Sequence, residues 1–318
     1  MIKVSVVKDW KYPKISRQSP NGEGKWGDVQ FIDGFDSNAD YLIVFNAPNR
    51  NMFGNFVKGG KWILSQESPI PYYDWHKESY QYFDKIFGFW REDEVPGIIH
   101  AQTSLPWHID LNYDELKSLS RGALNKTKNV SWITSSATSK PGHKLRITFK
   151  DYLEGIGFDF DLYGRGFTPI NNKFDALRDY RYSLAIENYQ VNDYWTEKFA
   201  DCVLSWSMPI YYGCKNILKY FPEKSMLMID PDNPELAVRK INEAIEGNLW
   251  ENSLDYIEEA RELILDKYQL FPNIASRIMS HHRPGIERVS ASIPANAYYK
   301  QKGKVSFSRF LKKIFGKI

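Results

Sequence analysis

YSLAIENYQVNDYWTEKFADCVLSWSMPIYYG, residues 182–213, is the stretch that sets the architecture of the chain. Tyr182 to Ile186 is an apolar run of strand type, Glu187 and Asn188 open a polar loop, and Thr196-Glu197-Lys198 starts a helix whose apolar face is Phe199, Cys202, Val203 and Trp206. A second strand-type run, Pro209 to Tyr212, follows at once. Strand, helix and strand in such short order predict a parallel sheet. In such sheets the loops beyond the carboxyl ends of the strands meet helix N-termini, whose unsatisfied amides can hold phosphate oxygens. Lys198 stands in the first helical turn, where the helix dipole disfavours a cation, and off the apolar stripe. A bound anion would reconcile it. On spacing alone, a solvated Lys198 beside a dipole-complementing Glu197 is an equal alternative.

The same alternation extends in both directions. Upstream come a strand near Val130 to Thr134, a helix with Leu145, Phe149, Tyr152, Leu153 and Ile156 on one face, glycines 155 and 157 to end it, a strand near Phe160 to Tyr163 and a helix around Phe174 to Tyr180. Downstream come a helix at Asn216 to Tyr220, a strand at Met226 to Ile229, a helix opened by Asn233 and Pro234, and further helices to about Met279. Residues 126–280 are therefore expected to form one doubly wound α/β domain. In the first half, Ile2 to Val7, Tyr41 to Phe45, Trp62 to Leu64, Ile86 to Phe89 and Ile98 to Ala101 read as strands, with Pro69, Pro71, Pro96 and Pro106 in loops. Residues 1–125 are the expected second α/β domain, since 318 residues exceed one compact domain and suggest two sharing a cleft. Residues 281–301, polar and carrying Pro284 and Pro294, look like a connection.

In 302–318, Phe307, Phe310, Leu311, Ile314, Phe315 and Ile318 fall at helical spacing among Arg309, Lys312, Lys313 and Lys317. This basic amphipathic pattern predicts a helix that binds an anionic membrane surface, with docking on the protein itself as the alternative.

Composition narrows the functional class. Hydrophobic residues make up 42% and charged residues 25%, with a net charge of +3, which suits a globular protein and gives no case for coating nucleic acid. Aromatic content of 15%, with 10 Trp and 20 Tyr, suits sugars and bases, although packing accounts for most such residues. Cys202 and Cys214 have neither metal-ligand nor disulfide-framework spacing and read as reduced thiols. Met1 to Trp10 is a β-type run rather than a signal peptide, and no stretch reaches the roughly 18 apolar residues of a membrane span. A cytoplasmic location is expected, peripheral at the inner membrane face through the tail.

The run Tyr182 to Asn188, Asp193-Tyr-Trp-Thr-Glu-Lys-Phe199, Met208-Pro-Ile-Tyr-Tyr-Gly213 and Tyr220-Phe-Pro222 resembles the signature of the α1,3/1,4-fucosyltransferases, glycosyltransferase family ten. The resemblance is strong over about 130–245 and faint before it. It implies two Rossmann-like domains facing across a cleft (GT-B type), with GDP-fucose in the C-terminal one. On matching positions it implies that Asn188 and Lys198 contact the diphosphate, Glu197 holds the ribose hydroxyls and Tyr194 lines the nucleotide pocket. Arg146, early in the preceding helix, is a further phosphate ligand by a looser match, with a surface arginine as the alternative. Glu67, in Trp62-Ile-Leu-Ser-Gln-Glu-Ser-Pro69, matches the family's catalytic base, with Asp74 and Glu78 in reserve. Three positions depart from the pattern: Ile186 replaces a Phe, Tyr189 a small hydroxyl residue, and Asp193 a Gly.

The implied reaction is inverting transfer of L-fucose from GDP-fucose to an N-acetylglucosamine-type residue of a bacterial surface glycan or lipid-linked oligosaccharide. A same-fold transferase using another nucleotide sugar, or a non-catalytic nucleotide-sugar or glycan-binding protein, are the alternatives; a donor panel and slow donor hydrolysis discriminate them. Asp159/Asp161 and Asp230/Asp232 have the Asp-x-Asp spacing of divalent-ion sites, but no obligatory metal is expected, since Lys198, Arg146 and helix-end amides can stabilise the leaving group. His76, His100 and His108 either contact acceptor or decorate loops, and His281 and His282 read as surface residues.

Overall fold

The structure, a computed structural model, describes residues 1–301; the amphipathic segment 302–318 lies outside the described residues. Among the described residues, fourteen strands and seven α-helices appear. The strands are β1 (Ile2–Val7), β2 (Lys25–Trp26), β3 (Val29–Asp33), β4 (Tyr41–Phe45), β5 (Met52–Val57), β6 (Lys61–Leu64), β7 (Lys85–Gly88), β8 (Ile98–His100), β9 (Lys128–Ile133), β10 (Asp161–Tyr163), β11 (Tyr180–Ile186), β12 (Met208–Tyr212), β13 (Leu227–Met228) and β14 (Arg288–Ile293). The helices are α1 (Tyr113–Ser118), α2 (Pro141–Gly155), α3 (Glu197–Leu204), α4 (Pro234–Glu246), α5 (Leu249–Asn252), α6 (Leu254–Leu263) and α7 (Leu270–His281).

Two compact units are built from these elements. Among the described residues, the first takes Met1–Ser16, Gly24–Thr103 and residues 275–301; the second takes Arg17–Glu23 and Ser104–Ile274. In the first unit the sheet order is β2-β3-β1-β4-β6-β7-β8, all parallel except the β2–β3 pair. In the second it is β10-β9-β11-β12-β13, wholly parallel. In each unit the second parallel strand lies on one side of the first and all later ones on the other. That order creates a topological switch point between β1 and β4, and another between β9 and β11. The central strand β4, YLIVF, is buried at every residue, as expected where both sheet faces are covered.

The second unit's core gathers Trp132, Phe149, Leu153, Phe199, Val203, Ile210 and Ile241, with each large apolar side chain contributing roughly 1.5–3 kcal/mol on burial. Pro209 is tolerated inside β12 because β13 pairs only with Ile210 and Tyr211, leaving no ladder bond at Pro209 on that side.

Several expectations are corrected. The boundary at 125/126 moves, because Trp107, Ile109 and Leu116 belong to the second unit's core and the buried Asp201 carboxylate accepts the amides of His108 (2.7 Å) and Ile109 (3.2 Å). The supposed connection 281–301 contains β14, which pairs antiparallel with β5 in the first unit and is anchored by Arg288 on Asp40 (2.6 Å). The helices expected at Phe174 to Tyr180 and Asn216 to Tyr220 are short 3₁₀ turns, Lys173–Ala176 and Ile217–Lys219. Tyr180 already starts β11, so too few residues remain for an α-helix. His281 and His282 are half-buried against the Tyr41 hydroxyl (3.0 and 3.3 Å).

The first turn of α2 is pressed against the loop that leaves β11. A Cβ on Gly142 would stand 2.0 Å from the Asn188 carbonyl oxygen, whereas one on Gly122 meets nothing within 4 Å. Gly142→Ala is therefore expected to lose about 1–3 kcal/mol, by overpacking, while Gly122→Ala changes little; urea midpoints of the two variants check this.

Candidate active site

The switch point of the second unit is lined by the loop after β9 with the first turns of α2, and by the loop after β11 with the first turn of α3. Glu187, immediately after β11, is fully buried. Its carboxylate accepts the Thr196 amide (2.7 Å), the Thr196 hydroxyl (2.8 Å) and the Lys198 ammonium (3.1 Å). Thr196 is the N-cap of α3, its side chain accepting the Lys198 amide at 3.3 Å. Burial pushes the Glu187 carboxyl above its ordinary value, with Lys198 opposing. Lys198 loses charge stability to burial, but Glu187 and Glu197 more than restore it, so its pKa is raised. The cation in the first helical turn is thus reconciled by two of the protein's own carboxylates.

Glu197 faces Lys198 (3.5 Å) and Lys173 (3.6 Å), and Lys173 in turn pairs with Asp201 (3.1 Å). Burial disfavours the Glu197 carboxylate, yet Lys198, Lys173 and His108 hold it well below the usual range, so it stays ionised and able to accept hydroxyl donors. Tyr194 is buried beside this group and its phenol acts on Arg146.

Arg146, on α2, is 6% exposed. Its Nε is buried without a hydrogen-bond partner, and it makes no ion pair among the described residues. Burial draws its pKa down, with Glu187, Glu197 and Tyr194 opposing from a distance. A buried guanidinium without an acceptor is costly, and planar donors of this kind suit a phosphate. Asn188 Oδ1, Thr134 Oγ1 and His143 Nδ1 are likewise buried without partners. The backbones here approach closely: Gly164, at φ +118°, lies where a Cβ would stand 1.9 Å from the Thr134 carbonyl oxygen. Arg146, Asn188, Tyr194, Glu197 and Lys198 are thus brought together in one unit. Glu187, Lys173, Asp201, Thr134 and His143 join them and were not singled out from sequence; the acid before Asn188 was the available signal for Glu187.

The departures from the family pattern acquire physical explanations. Asp193 adopts φ +65°, a left-handed conformation that glycine takes freely and aspartate tolerates. Its carboxylate holds Asn216 (2.9 Å) and the Tyr220 hydroxyl, so the loop is pinned by side chains. Ile186 is buried in the sheet core, while Tyr189 is 37% exposed.

In the first unit, Glu67 lies in the loop beyond the carboxyl end of β6, half-buried and accepting the Tyr73 hydroxyl. Asp74 pairs with Lys77 (2.9 Å), and Glu78 accepts the Ala297 amide (3.4 Å). His76 is buried, and that burial lowers its pKa to about 4; His100 is exposed, and His108 lies in the second unit, half-buried. Of the two Asp-x-Asp pairs, Asp161 is taken by Lys128 (2.9 Å) and the Tyr180 hydroxyl (2.6 Å), and Asp230 accepts the Asp232 amide (3.1 Å). No cluster of three or more His, Cys, Asp or Glu able to hold a metal occurs among the described residues.

Comparison with known proteins bears on this geometry. Residues 123–239 match the model described as glycosyltransferase family 10 (fucosyltransferase) C-term. The α-(1,3)-fucosyltransferase FucT of Helicobacter pylori is 32% identical over 101 residues, 30% of this chain and 20% of the relative. GDP-fucose protein O-fucosyltransferase 3 of Danio rerio is 28% identical over 105 residues, 33% of this chain and 23% of the relative. The chain thus spans less than a quarter of the length of each of these relatives. An α-glucosyltransferase solved with UDP and DNA aligns over 88% of this chain and 99% of its own, at 10% identity and a TM-score of 0.54, which shows the fold, that of the GT-B glycosyltransferases. The switch-point residues thus lie in or beside a segment, residues 123–239, that is similar to the C-terminal domain of glycosyltransferase family 10, the fucosyltransferases.

Proposed function

We propose that the chain is an inverting α1,3-fucosyltransferase that moves L-fucose from GDP-fucose to a hydroxyl of an N-acetylglucosamine-type residue in a bacterial surface glycan. The observation that carries the donor half is Arg146: a buried guanidinium without a protein acceptor at a sheet switch point, beside the N-cap of α3. Arg146, Lys198 and Asn188 take the diphosphate, the ionised Glu197 accepts the ribose hydroxyls, and Tyr194 borders the nucleoside. The names of the two relatives, one a GDP-fucose enzyme and one an α-(1,3)-fucosyltransferase, support the donor and the linkage.

In the reaction, Glu67 accepts the proton of the acceptor hydroxyl as that oxygen bonds to the anomeric carbon. The anomeric C–O bond to phosphate breaks on the opposite face, and GDP departs with the electron pair, its added charge met by Arg146 and Lys198. These fixed cations supply what a divalent ion supplies elsewhere. The first unit supports the acceptor half by a carboxylate at its own switch point. At its switch point Asp9 accepts from Asn46 (3.0 Å) and the Tyr299 hydroxyl (2.9 Å), and carboxylates there suit the hydroxyls of a glycan and repel phosphate. No helix among the described residues is long and apolar enough to cross a membrane. The apolar and basic residues of 302–318 support attachment at the inner membrane face, next to a lipid-linked acceptor.

Arg146→Ala and Lys198→Ala should each weaken GDP binding roughly 10- to 100-fold, the worth of a charge-assisted hydrogen bond; unchanged affinity by calorimetry in both variants removes the diphosphate reading. Glu67→Gln should keep GDP-fucose affinity while turnover drops about 10²–10⁴-fold, and wild-type rates in that variant eliminate the base. Transfer should proceed at full rate in excess chelator, and a loss restored by manganese would overturn the metal-independent mechanism.

A further inference from the structure

We propose that His143 is a ligand of the diphosphate whose protonation follows occupancy: neutral in the free protein and imidazolium once the paired phosphates are bound. The proposal rests on the diphosphate reading of the switch-point site. His143 is the third residue of the fifteen-residue α2, one turn before the buried and unpartnered Arg146, and its own Nδ1 is buried without a hydrogen-bond partner. Its neighbour Gly142 is the residue pressed on the Asn188 backbone, which fixes this turn against the loop after β11.

The charges around it come from every element that forms the site. Arg146 and Lys140 act from α2 and its N-cap, Lys198 from α3 and Arg165 from the loop after β10, and with burial all of them disfavour a proton on His143. The carboxylates of the site, Glu187 and Glu197, are already engaged by Lys198, with Thr196 and Lys173 completing their partners. A fifth positive charge in this cluster is therefore repelled while the site is empty. A sugar-nucleotide diphosphate brings two negative charges into the same space and reverses the sign of the field. The imidazole then takes a proton from solvent and presents N–H donors where a neutral ring has one lone pair facing nothing. As the anomeric C–O bond breaks, the departing diphosphate gains a further negative charge, which holds that proton more tightly. The proton returns to solvent when GDP leaves.

Linkage fixes the direction of the pH dependence. With the bound-state pKa above the free-state one, donor affinity is greatest below the free-state value. It falls as pH rises toward the bound-state value and levels off beyond it, with a slope of at most about tenfold per pH unit. The test is calorimetry of GDP-fucose, whose diphosphate does not itself titrate near neutrality, at pH 7 in two buffers of different ionisation enthalpy. The full chain should take up close to one proton per donor bound, and His143→Gln should bind more weakly with that uptake abolished. Binding by the wild type without proton uptake, or uptake that survives in His143→Gln, overturns the role of His143 and leaves the diphosphate site standing. Failure of the wild type to bind GDP-fucose at all overturns both.

Discussion

The fully buried carboxylate of Glu187 is the constraint on which the second unit's site depends. A buried carboxylate is tolerable only when its oxygens are occupied, and removing one partner of such a group typically costs about 3–5 kcal/mol. Thr196 supplies an amide and a hydroxyl, Lys198 an ammonium. Because Thr196 is also the N-cap of α3, one carboxylate fixes where the helix begins and the direction of its first side chains. Gly213 lies within 2.4 Å, by a notional Cβ, of the Glu187 side chain, so the turn after β12 closes over the acid with no room for a larger residue. The chain therefore meets a cation at a helix N-terminus by holding a carboxylate beneath it, and the exposed side of that cation is what remains for a ligand.

A second consequence concerns how the positive charge is kept in place. Arg146, Lys198, Lys140 and Arg165 converge on one turn of α2, an arrangement that repels itself in the absence of an anion. Lys198 is relieved by Glu187 and Glu197, and Lys173 by Glu197 and Asp201, but Arg146 makes no ion pair among the described residues and feels Glu187 and Glu197 only from a distance. The imbalance is local and points to one place. The corresponding switch point in the first unit carries the Asp9 carboxylate next to Lys8, which pairs with Asp33, and Glu67 lies beyond the neighbouring strand. Two sheets that share the same reversal of strand order at the switch point thus carry different side chains in the loops beside it.

Much of the fold was legible because parallel strands buried on both faces are continuous apolar runs. Ile2 to Val7, Tyr41 to Phe45 and Tyr182 to Ile186 all read correctly, as did the N-caps Thr196 and Asn233. The short β2 and the parallel strand β3, VQFID, were missed, the latter because Gln30 and Asp33 interrupt its apolar run. Two further missed strands have a different character: β5 carries Gly54 and Asn55, and β14, RVSASI, has only small or β-branched apolar residues between polar ones, and the two pair with each other outside both larger sheets. No local pattern could show that residues after 281 return to the first unit, since that pairing joins residues more than 230 positions apart. Within the site, Lys198, Glu197 and Asn188 were named by the resemblance to a family motif, since spacing alone left a solvated Lys198 equally open. Lys173 and Asp201 could not be, since their link exists only once the turn at 173–176 is folded beneath α3.

Asp193 shows how a departure from a family pattern is best weighed. Read along the chain, the loss of a glycine before Tyr194 suggests an altered sugar subsite. In three dimensions the position demands a left-handed backbone, which aspartate adopts at a small cost, and its carboxylate then binds Asn216 and Tyr220. The substitution exchanges backbone freedom for a side-chain tether and leaves Thr196 held by Glu187. Ile186 is likewise a matter of packing within the sheet. Of the three departures only Tyr189 reaches solvent, so any difference in the sugar accepted is to be sought at that side chain and not in the turn or the strand.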